Sequence, residues 1–461
     1  MACQSYMIFV ILTTILATIL YCQRRHITIT VIAMADTENN TSIQQLCGED
    51  TTVKTEFKWT PIQQSVILTV PMYGMVLTAF PGGYFADRIG GKSILTLSII
   101  VSTIVTFLSP AALRWDIRSF YLVQFLEGCS GGCLWPAVNT MVMKRVPVRY
   151  RTTCIIINYS GIPLAYIISP IISAALSCSI GWSAVYYAFG VSGVLVTLIW
   201  VAIIKNSPLE AANESNSVKR KQDIPWRKMF VSRLFVVLTF AWFCNTFYGT
   251  FLQFEVPTFF NDNLHVNLYS NGAFSGLSYI GPMIVGPMMA IIVDHVISRG
   301  IFSITVTRKL VYVSSLLPSA ILMFLATYTT ERHWLTVACI TLVNILFECG
   351  YSGINMSFVD VTENYSGVYS GVALSYSYTA YIVQATLMGY MVTDSRTTAQ
   401  YRMLYLMMSP VAAAGMCLYY GYSLCRYFQP YTPPPLYIDL SLYIQYWLIK
   451  EIKRTRFRLD L

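Results

Sequence analysis

The sequence is a succession of apolar windows, each long enough to cross a lipid bilayer as a helix. A spanning helix needs about 20 mostly apolar residues. Such windows recur near residues 6–22, 64–86, 93–110, 119–141, 154–176, 183–204, 232–254, 272–296, 309–328, 334–359, 366–392 and 402–424. With 55% hydrophobic and 11% charged residues, the chain has more apolar surface than a water-soluble core can bury. The sequence predicts an all-α membrane protein with twelve transmembrane helices.

Three polar residues interrupt the first apolar window. Arg24, Arg25 and His26 stand in a run that is otherwise apolar as far as Met34. A signal peptide is the alternative interpretation, but the apolar run is long and no cationic segment precedes it. We interpret the run as the first transmembrane helix.

The distribution of cations predicts the orientation, because Lys and Arg are retained on the cytoplasmic side of a membrane. If both termini are cytoplasmic, the inner loops and the C-terminal tail hold 22 of the 31 Lys and Arg residues. The outer loops hold 7. The net charge of +9 therefore indicates loops that face anionic membrane lipid, and it gives no reason to expect a nucleic acid partner.

The first outer loop, residues 35–62, contains two overlapping glycosylation sequons, at Asn39 and Asn40. Their position agrees with a luminal loop, so we expect a glycoprotein. Most of the 12 cysteines lie inside predicted spans, where Cys behaves as a small hydrophobe. No Cys or His spacing resembles a zinc site, and we predict no metal site and no cofactor.

The spans divide into two sets of six on either side of a polar loop. The predicted organisation is an N-terminal six-helix half (1–204), a cytoplasmic linker (205–231), a C-terminal six-helix half (232–425) and a cytoplasmic tail (426–461). Asp87 and Asp294 occupy equivalent points in the two halves, each followed by cations. This pattern indicates a duplication, with the substrate site between the halves near the membrane midplane.

The strongest motif lies between the second and third spans. It runs Gly83-Tyr-Phe-Ala-Asp87-Arg88-Ile-Gly90-Gly91-Lys92. The motif resembles the signature Gly-x-Leu-Ala-Asp-Arg-x-Gly-Arg-Lys of the major facilitator superfamily. The resemblance implies a gate in which the glycines allow close helix approach and the carboxylate braces one of two alternating conformations. The alternative is an ordinary tight, positively charged loop.

Further segments resemble solute carrier family 17, the group that contains sialin, the vesicular glutamate transporters and the sodium-dependent phosphate transporters. The matching segments are Phe57-x-Trp59, Tyr73-Gly74, Pro81-Gly82-Gly83-Tyr84, Gly181-Trp182-Ser183 and Ser352-Gly353-Ile-Asn355. The resemblance extends over nearly the whole of residues 24–424. The resemblance implies a secondary transporter of a small anion.

The same resemblance places Arg24 where the family has an intramembrane arginine that holds the anionic group of the substrate. An arginine suits this role because it stays charged in a low dielectric and offers a planar fork to carboxylate or phosphate. In the alternative interpretation, the span ends at Cys22 and both arginines lie at the outer interface. We expect Arg25, about 100° around the helix, to reach the interface or to pair elsewhere.

The fourth span departs from the family pattern. Gln124 stands in place of an arginine, and Gly131 in place of a glutamate. Residues 124, 127 and 131 share one helical face, so we expect Glu127 to point into the same cavity. Our hypothesis is that Glu127 is a relocated carboxylate that binds and releases the coupling proton. Its alternative is a structural partner for Arg24.

Two more residues are candidates for the substrate site. Tyr248 in the seventh span and Asn355 in the tenth stand in segments where the family has polar cavity residues. Around Asn355 the family's Asn-x-Asn-His becomes Asn355-Met-Ser357-Phe358. Intramembrane tyrosines are also common packing residues, which is the alternative for Tyr248.

These observations favour alternating-access transport of a small organic anion or inorganic phosphate, coupled to H+ or Na+. The alternative is a transporter-like membrane sensor or scaffold that has lost coupled transport. No nucleophile or paired carboxylates indicate an enzyme. We expect a monomeric multi-pass protein of the plasma membrane or of a lysosomal or vesicular membrane; the identity of the anion stays open.

Overall fold

The computed structural model is mainly helical in the residues that it describes. It describes residues 2–34, 56–59, 61–147, 150–204, 226–264, 268–329, 331–361, 365–391, 411, 413–419 and 421. The helices are α1 (Ala2–Arg25), α2 (Ile27–Met34), α3 (Pro61–Ile89), α4 (Gly91–Trp115), α5 (Ile117–Gly132), α6 (Leu134–Arg145), α7 (Arg151–Tyr159), α8 (Gly161–Ser179), α9 (Trp182–Ile203), α10 (Trp226–Val231), α11 (Arg233–Leu264), α12 (Leu268–Ser298), α13 (Ile304–Ala326), α14 (His333–Val361) and α15 (Ser366–Met391).

The predicted spans agree with these helices. Within the described residues, nine helical segments are long and apolar enough to cross a membrane, and they coincide with predicted spans one to three and five to ten. The fourth window is divided into α5 and α6 at Cys133, and α15 covers the eleventh. The twelfth lies mostly outside the described residues. Asn39, Asn40, the linker residues 205–225 and the tail 426–461 lie entirely outside them.

The first span continues through its two arginines. Helix α1 ends at Arg25, His26 forms a turn, and α2 begins at Ile27. The apolar segment that could cross a membrane runs from Met7 to Val31. The helix does not end at Cys22, which favours the interpretation in which both arginines lie within the span.

Small residues set the distances between helices, as is usual where the lipid provides no hydrophobic driving force for helix association. A Cβ atom at Gly128 on α5 would overlap the carbonyl group of Pro71 on α3. A Cβ atom at Gly74 on α3 would likewise overlap the carbonyl oxygen of Phe125. These contacts hold α5 directly against α3 and fix its rotation.

Two seams join the helices before residue 204, here called the N-terminal half, to those after residue 226, here called the C-terminal half. In the first seam α15 packs along α3, and in the second α12 packs against α7 and α8. Helices α3 and α12 each contain two prolines, which transmembrane helices tolerate because neighbours satisfy the freed backbone groups. The cavity described next is bordered by α1, α2, α3, α8 and α15.

Candidate functional site

A small cavity of about 20 Å³ lies between the two halves. Its wall is formed by Arg24, Arg25, Ile27, Thr28, Leu68, Pro71, Met72, Met75, Tyr166 and Tyr381. Most of these side chains are apolar or aromatic, while the two arginines supply positive charge. Such a combination of an apolar wall and few polar groups is typical of a small-molecule site.

Arg24 enters this cavity with weak partners. Its Cζ lies 4.4 Å from the centre of the Tyr21 ring, and Nη1 donates to the Met75 Sδ at 2.8 Å. A thioether sulfur is a weak acceptor. Within the described residues no acidic side chain forms an ion pair with Arg24. Its positive charge is therefore available to an anion in the cavity.

Gly131 allows this guanidinium to approach α5 closely. A Cβ atom at Gly131 would lie 3.0 Å from the Arg24 Nη1. The family pattern has a glutamate at this position, and a carboxylate there would neutralise the arginine from within the protein. The glycine removes that intramolecular counter-charge.

Arg25 lines the same cavity and connects the two halves. Its Nη2 donates to the Tyr166 hydroxyl at 2.6 Å and to the Gln253 Oε1 at 3.0 Å. The Tyr166 hydroxyl donates to the same Gln253 oxygen at 2.8 Å. Of the two outcomes expected for Arg25, the structure shows the pairing and not the position at the interface, because α8 and α11 hold its guanidinium inside the protein.

Glu127 does not line the cavity, contrary to the same-face argument. Its side chain is 4% exposed, and its Oε1 lies 2.6 Å from the Ser102 Oγ on α4. That hydroxyl also lies 2.7 Å from the Gln23 Oε1. The packing of α5 on α3 turns Glu127 towards α4, while Gly131 faces Arg24. Within the described residues Glu127 forms no ion pair with Arg24.

The other predicted substrate residues lie away from the cavity wall. Gln124 is buried on α5. Tyr248 is buried, its hydroxyl lies 2.9 Å from the Ser319 Oγ, and its ring packs on Phe347, so in this structure it is a packing residue. The Asn355 side chain is buried, and neither its Oδ1 nor its Nδ2 has a hydrogen-bond partner among the described residues. None of the three is in the wall described above.

The predicted gate residues meet the C-terminal half at one end of the first seam. The Asp87 Oδ2 accepts from the Val368 backbone N–H at 2.8 Å, and Oδ1 accepts from Gly367 at 3.2 Å and from the Thr140 hydroxyl at 2.9 Å. Asp87 thus caps the N-terminus of α15, where the helix dipole favours a carboxylate. A Cβ atom at Gly83 would overlap the Gly367 carbonyl group.

The remaining motif residues shape the loop itself. Gly90 has a φ of 104°, which a residue with a side chain rarely adopts, and it begins α4. The Arg88 guanidinium lies 4.5 Å from the centre of the Tyr84 ring. Lys92 is half-buried in the first turn of α4. The glycines of the motif therefore serve close packing and a tight turn.

An equivalent contact closes the second seam. The Asp294 Oδ2 accepts from the backbone N–H of Thr153 at 2.8 Å and from its hydroxyl at 2.7 Å, which caps α7. The Arg308 guanidinium donates to the Thr152 hydroxyl and to the Ser352 carbonyl oxygen, both at 2.9 Å. We call the Asp87 and Asp294 contacts the two clamps. Both join the N-terminal half to the C-terminal half.

An aromatic column leads from Arg24 into the seam. The Tyr21 hydroxyl accepts from the Trp135 Nε1 at 2.8 Å. The Trp135 ring stacks on Tyr159 with centroids 3.8 Å apart, and Tyr159 meets Tyr351 of the C-terminal half at 5.7 Å. The column therefore begins beside Arg24 and ends in the opposite half.

Sequence reasoning missed Tyr166, Gln253 and Glu348. The first two are separated from Arg25 by 141 and 228 residues, and nothing local indicates that they converge. Glu348 carried a usable signal, since an acid inside a predicted span is a candidate functional residue in itself. Among the described residues, no group of three or more His, Cys, Asp or Glu side chains is placed to hold a metal ion.

A family model decides the class of this protein. The model of the Major Facilitator Superfamily matches residues 3–385. The chain belongs to the Major Facilitator Superfamily. The fold predicted from the apolar windows and the duplication is confirmed for this superfamily member, as is the resemblance to the sialin and phosphate transporter group.

Curated relatives support the same assignment at modest identity. Sialin of Ovis aries is 24% identical over 384 residues, covering 78% of this chain and 77% of that protein. The chloroplastic sodium-dependent phosphate transport protein 1 of Arabidopsis thaliana is 28% identical, covering 69% of this chain and 64% of that protein. A putative inorganic phosphate cotransporter of Drosophila melanogaster is 25% identical over 404 residues, covering 81% and 76%.

Solved structures share the fold at lower identity. The proton:xylose symporter bound to 6-bromo-6-deoxy-D-glucose superposes with a TM-score of 0.69 at 12% identity, covering 91% of this facilitator and 96% of that chain. The fucose:proton symporter of E. coli gives 0.61 at 14% identity, covering 90% and 99%. These matches show the architecture and carry no information on the substrate.

Proposed function

We propose that this facilitator is a secondary transporter of a small organic anion or inorganic phosphate that works by alternating access. One observation carries the proposal: Arg24 stands in the cavity between the halves with no acidic partner among the described residues. A charge at this depth costs several kcal/mol unless it is compensated. An anionic substrate supplies that compensation, and the names of the relatives agree with anion transport.

The two clamps support the alternating-access part of the proposal. Each consists of a carboxylate at the end of one helix that caps a helix of the other half. Their hydrogen bonds close both seams at the end where α3 and α12 finish. Opening that end requires both clamps to release, so they define one of the two states between which the halves rock. Asp87 and Gly83 are the gating residues in this scheme.

The hydrogen bonds around Glu127 support its role as the proton-coupling residue. The Gln23 Nε2 donates to the Phe189 carbonyl oxygen at 3.1 Å, so its Oε1 must face Ser102. The Ser102 hydroxyl has one proton but faces two oxygens, those of Gln23 and Glu127. All three groups are satisfied only if Glu127 is protonated and donates to Ser102, which then donates to Gln23. Loss of the proton leaves the Gln23 oxygen without a donor.

Protonation of Glu127 therefore has a structural consequence. An ionised Glu127 takes the Ser102 hydroxyl for itself and removes the hydrogen bond that links Ser102 to Gln23, on the helix that also carries Arg24. We propose that protonation of Glu127 couples to the position of Arg24 through this connection. The sodium-dependent relatives support Na+ as a second coupling ion.

The proposed orientation places both termini in the cytoplasm. The excess of cations in the inner loops supports it. Cys178, one residue before the end of α8, is disulfide-bonded, and in this orientation it lies on the outer side, where disulfides persist. We propose a monomer in the plasma membrane or in a lysosomal or vesicular membrane.

Uptake by the purified full chain in liposomes tests the proposal. Labelled inorganic phosphate, a sugar carboxylate and aspartate are offered to wild type, Arg24→Gln and Arg24→Lys. The matched control is Arg118→Gln, an exposed arginine outside the cavity. Removal of one partner of a buried charge pair costs at least about 2 kcal/mol, or about 30-fold in affinity. We expect that loss in Arg24→Gln, a partial loss in Arg24→Lys and none in the control.

Two results would contradict the proposal in different ways. Binding of an anion without flux in wild type would identify the chain as a sensor or scaffold. If no anion binds, or if Arg24→Gln binds the transported anion as wild type does, then the assignment of Arg24 is wrong.

A further inference from the structure

A second intramembrane carboxylate, that of Glu348, lies where three helices of the two halves meet. Glu348 stands near the middle of α14 and is half-buried. A Cβ atom at Gly286 on α12 would lie 3.0 Å from the Glu348 Cγ, and Ile156 on α7 borders the same point. Glycine at position 286 therefore leaves the room that the glutamate occupies in the second seam.

Glu348 has no partner inside the protein as described. Among the described residues it makes no hydrogen bond and no ion pair. The titratable groups within its electrostatic range are Tyr159 on α7, Tyr279 on α12, and Cys349 and Tyr351 on α14. None of these groups carries a positive charge. A cation that enters the seam would supply the compensation that an ionised intramembrane carboxylate needs.

The surroundings of Glu348 suit a small cation. Tyr351 stands three residues after Glu348 on α14, so the two side chains share one helical face. Aromatic rings attract cations, including ammonium groups. The Tyr351 hydroxyl also offers a hard oxygen donor, the ligand type that hard metal cations prefer.

The side chain of Glu348 is more accessible to solvent than that of Glu127. The Glu127 Oε2 is sealed from solvent, so only a proton can reach that carboxylate. Glu348 is half-buried, and neither of its oxygens is sealed and unpartnered. Of the two carboxylates, Glu348 is therefore the one that offers surface to an ion larger than a proton.

We propose that Glu348 is the binding subsite for a monovalent cation larger than a proton, which enters the cavity together with the anion. Two sources share this chemistry: Na+, and the ammonium group of a zwitterionic ligand. The inference rests on the proposed function, because it assumes that an anion binds near Arg24. It places the binding site of the cotransported cation in the C-terminal half.

Ligand binding to the purified full chain tests the proposal. The affinities of inorganic phosphate and of aspartate are measured in Na+ and in N-methylglucamine, for wild type, Glu348→Gln and Glu348→Asp. The matched control is Glu331→Gln, an exposed acid outside the seam. If Na+ is the cation, Na+ tightens phosphate binding at least tenfold in wild type, and Glu348→Gln abolishes this difference. If the ammonium group is the cation, Glu348→Gln loses at least tenfold in affinity for aspartate and retains its affinity for phosphate.

The other variants separate this role from a structural one. Glu348→Asp keeps the carboxylate and should retain part of the Na+ or ammonium effect, whereas Glu331→Gln should match wild type. The proposal is overturned if Glu348→Gln matches wild type in both comparisons, loses affinity equally for every ligand and ion, or alters only the pH dependence. Those failures leave Arg24-dependent anion binding intact. If wild type binds no anion at all, the proposed function itself has failed.

Discussion

The glycine at position 131 provides a direct test of the anion site, because it determines whether Arg24 has an internal counter-charge. We expect Gly131→Glu to place a carboxylate beside the guanidinium, since the Cβ atom begins 3.0 Å from the Arg24 Nη1. A pair of opposite charges at 4 Å attracts by about 4 kcal/mol at an effective dielectric of 20. If half of that attraction is offset by desolvation and side-chain ordering, about 2 kcal/mol remains, which corresponds to about 30-fold in affinity. An external anion must overcome that energy.

The matched variants separate charge from bulk. Gly131→Gln has nearly the same shape as Gly131→Glu but no charge, and Gly131→Ala adds only the Cβ atom. We expect anion affinity, measured by titration of the purified protein, to fall about 30-fold further in Gly131→Glu than in Gly131→Gln. If the two variants bind the anion within threefold of each other, then Arg24 does not hold it. Restoration of binding at a pH low enough to protonate the new glutamate would support the same reasoning.

Three further outcomes follow from the coupling residue and the clamps. Glu127→Gln should remove the dependence of uptake on an imposed pH gradient, because an amide can donate to Ser102 without binding a proton; a retained dependence would refute the coupling role. Asp87→Asn should weaken the cap on α15 by about 1–2 kcal/mol and increase maleimide labelling of a cysteine introduced behind the clamp. Gly83→Val should prevent closure of the same seam, because its side chain meets the Gly367 carbonyl. We expect slower transport and maleimide labelling at least as strong as in Asp87→Asn. Labelling of either variant at the wild-type level would contradict the corresponding expectation.

The apolar windows predicted the helices because membrane spans must satisfy their backbone groups internally. The fourth span shows the limit of this approach. Its window, 119–141, predicted a single span, whereas the structure divides it into α5 and α6 at Cys133. The proposed role of Arg24 followed from the family resemblance, which hydropathy could not have supplied.

The orientation of side chains was less predictable. Glu127 and Gly131 are separated by one turn and about 40° of rotation, yet one faces Ser102 and the other faces Arg24. The close packing of Gly128 on Pro71 decides this rotation, and the sequence does not reveal which helix approaches which. The contact of Gln253 with Arg25 could not be predicted for the same reason. It exists only after the two halves have assembled.

The aromatic column has a consequence for observing this protein at work. Trp135 is fixed between the hydroxyl of Tyr21 and the ring of Tyr159, and only the next contact, from Tyr159 to Tyr351, crosses between the halves. When the halves separate, that junction is where the column must part, while the tryptophan stays with its own half. A variant that keeps Trp135 as its one tryptophan, out of the nine in the chain, would therefore carry an optical reporter beside that junction without an attached dye.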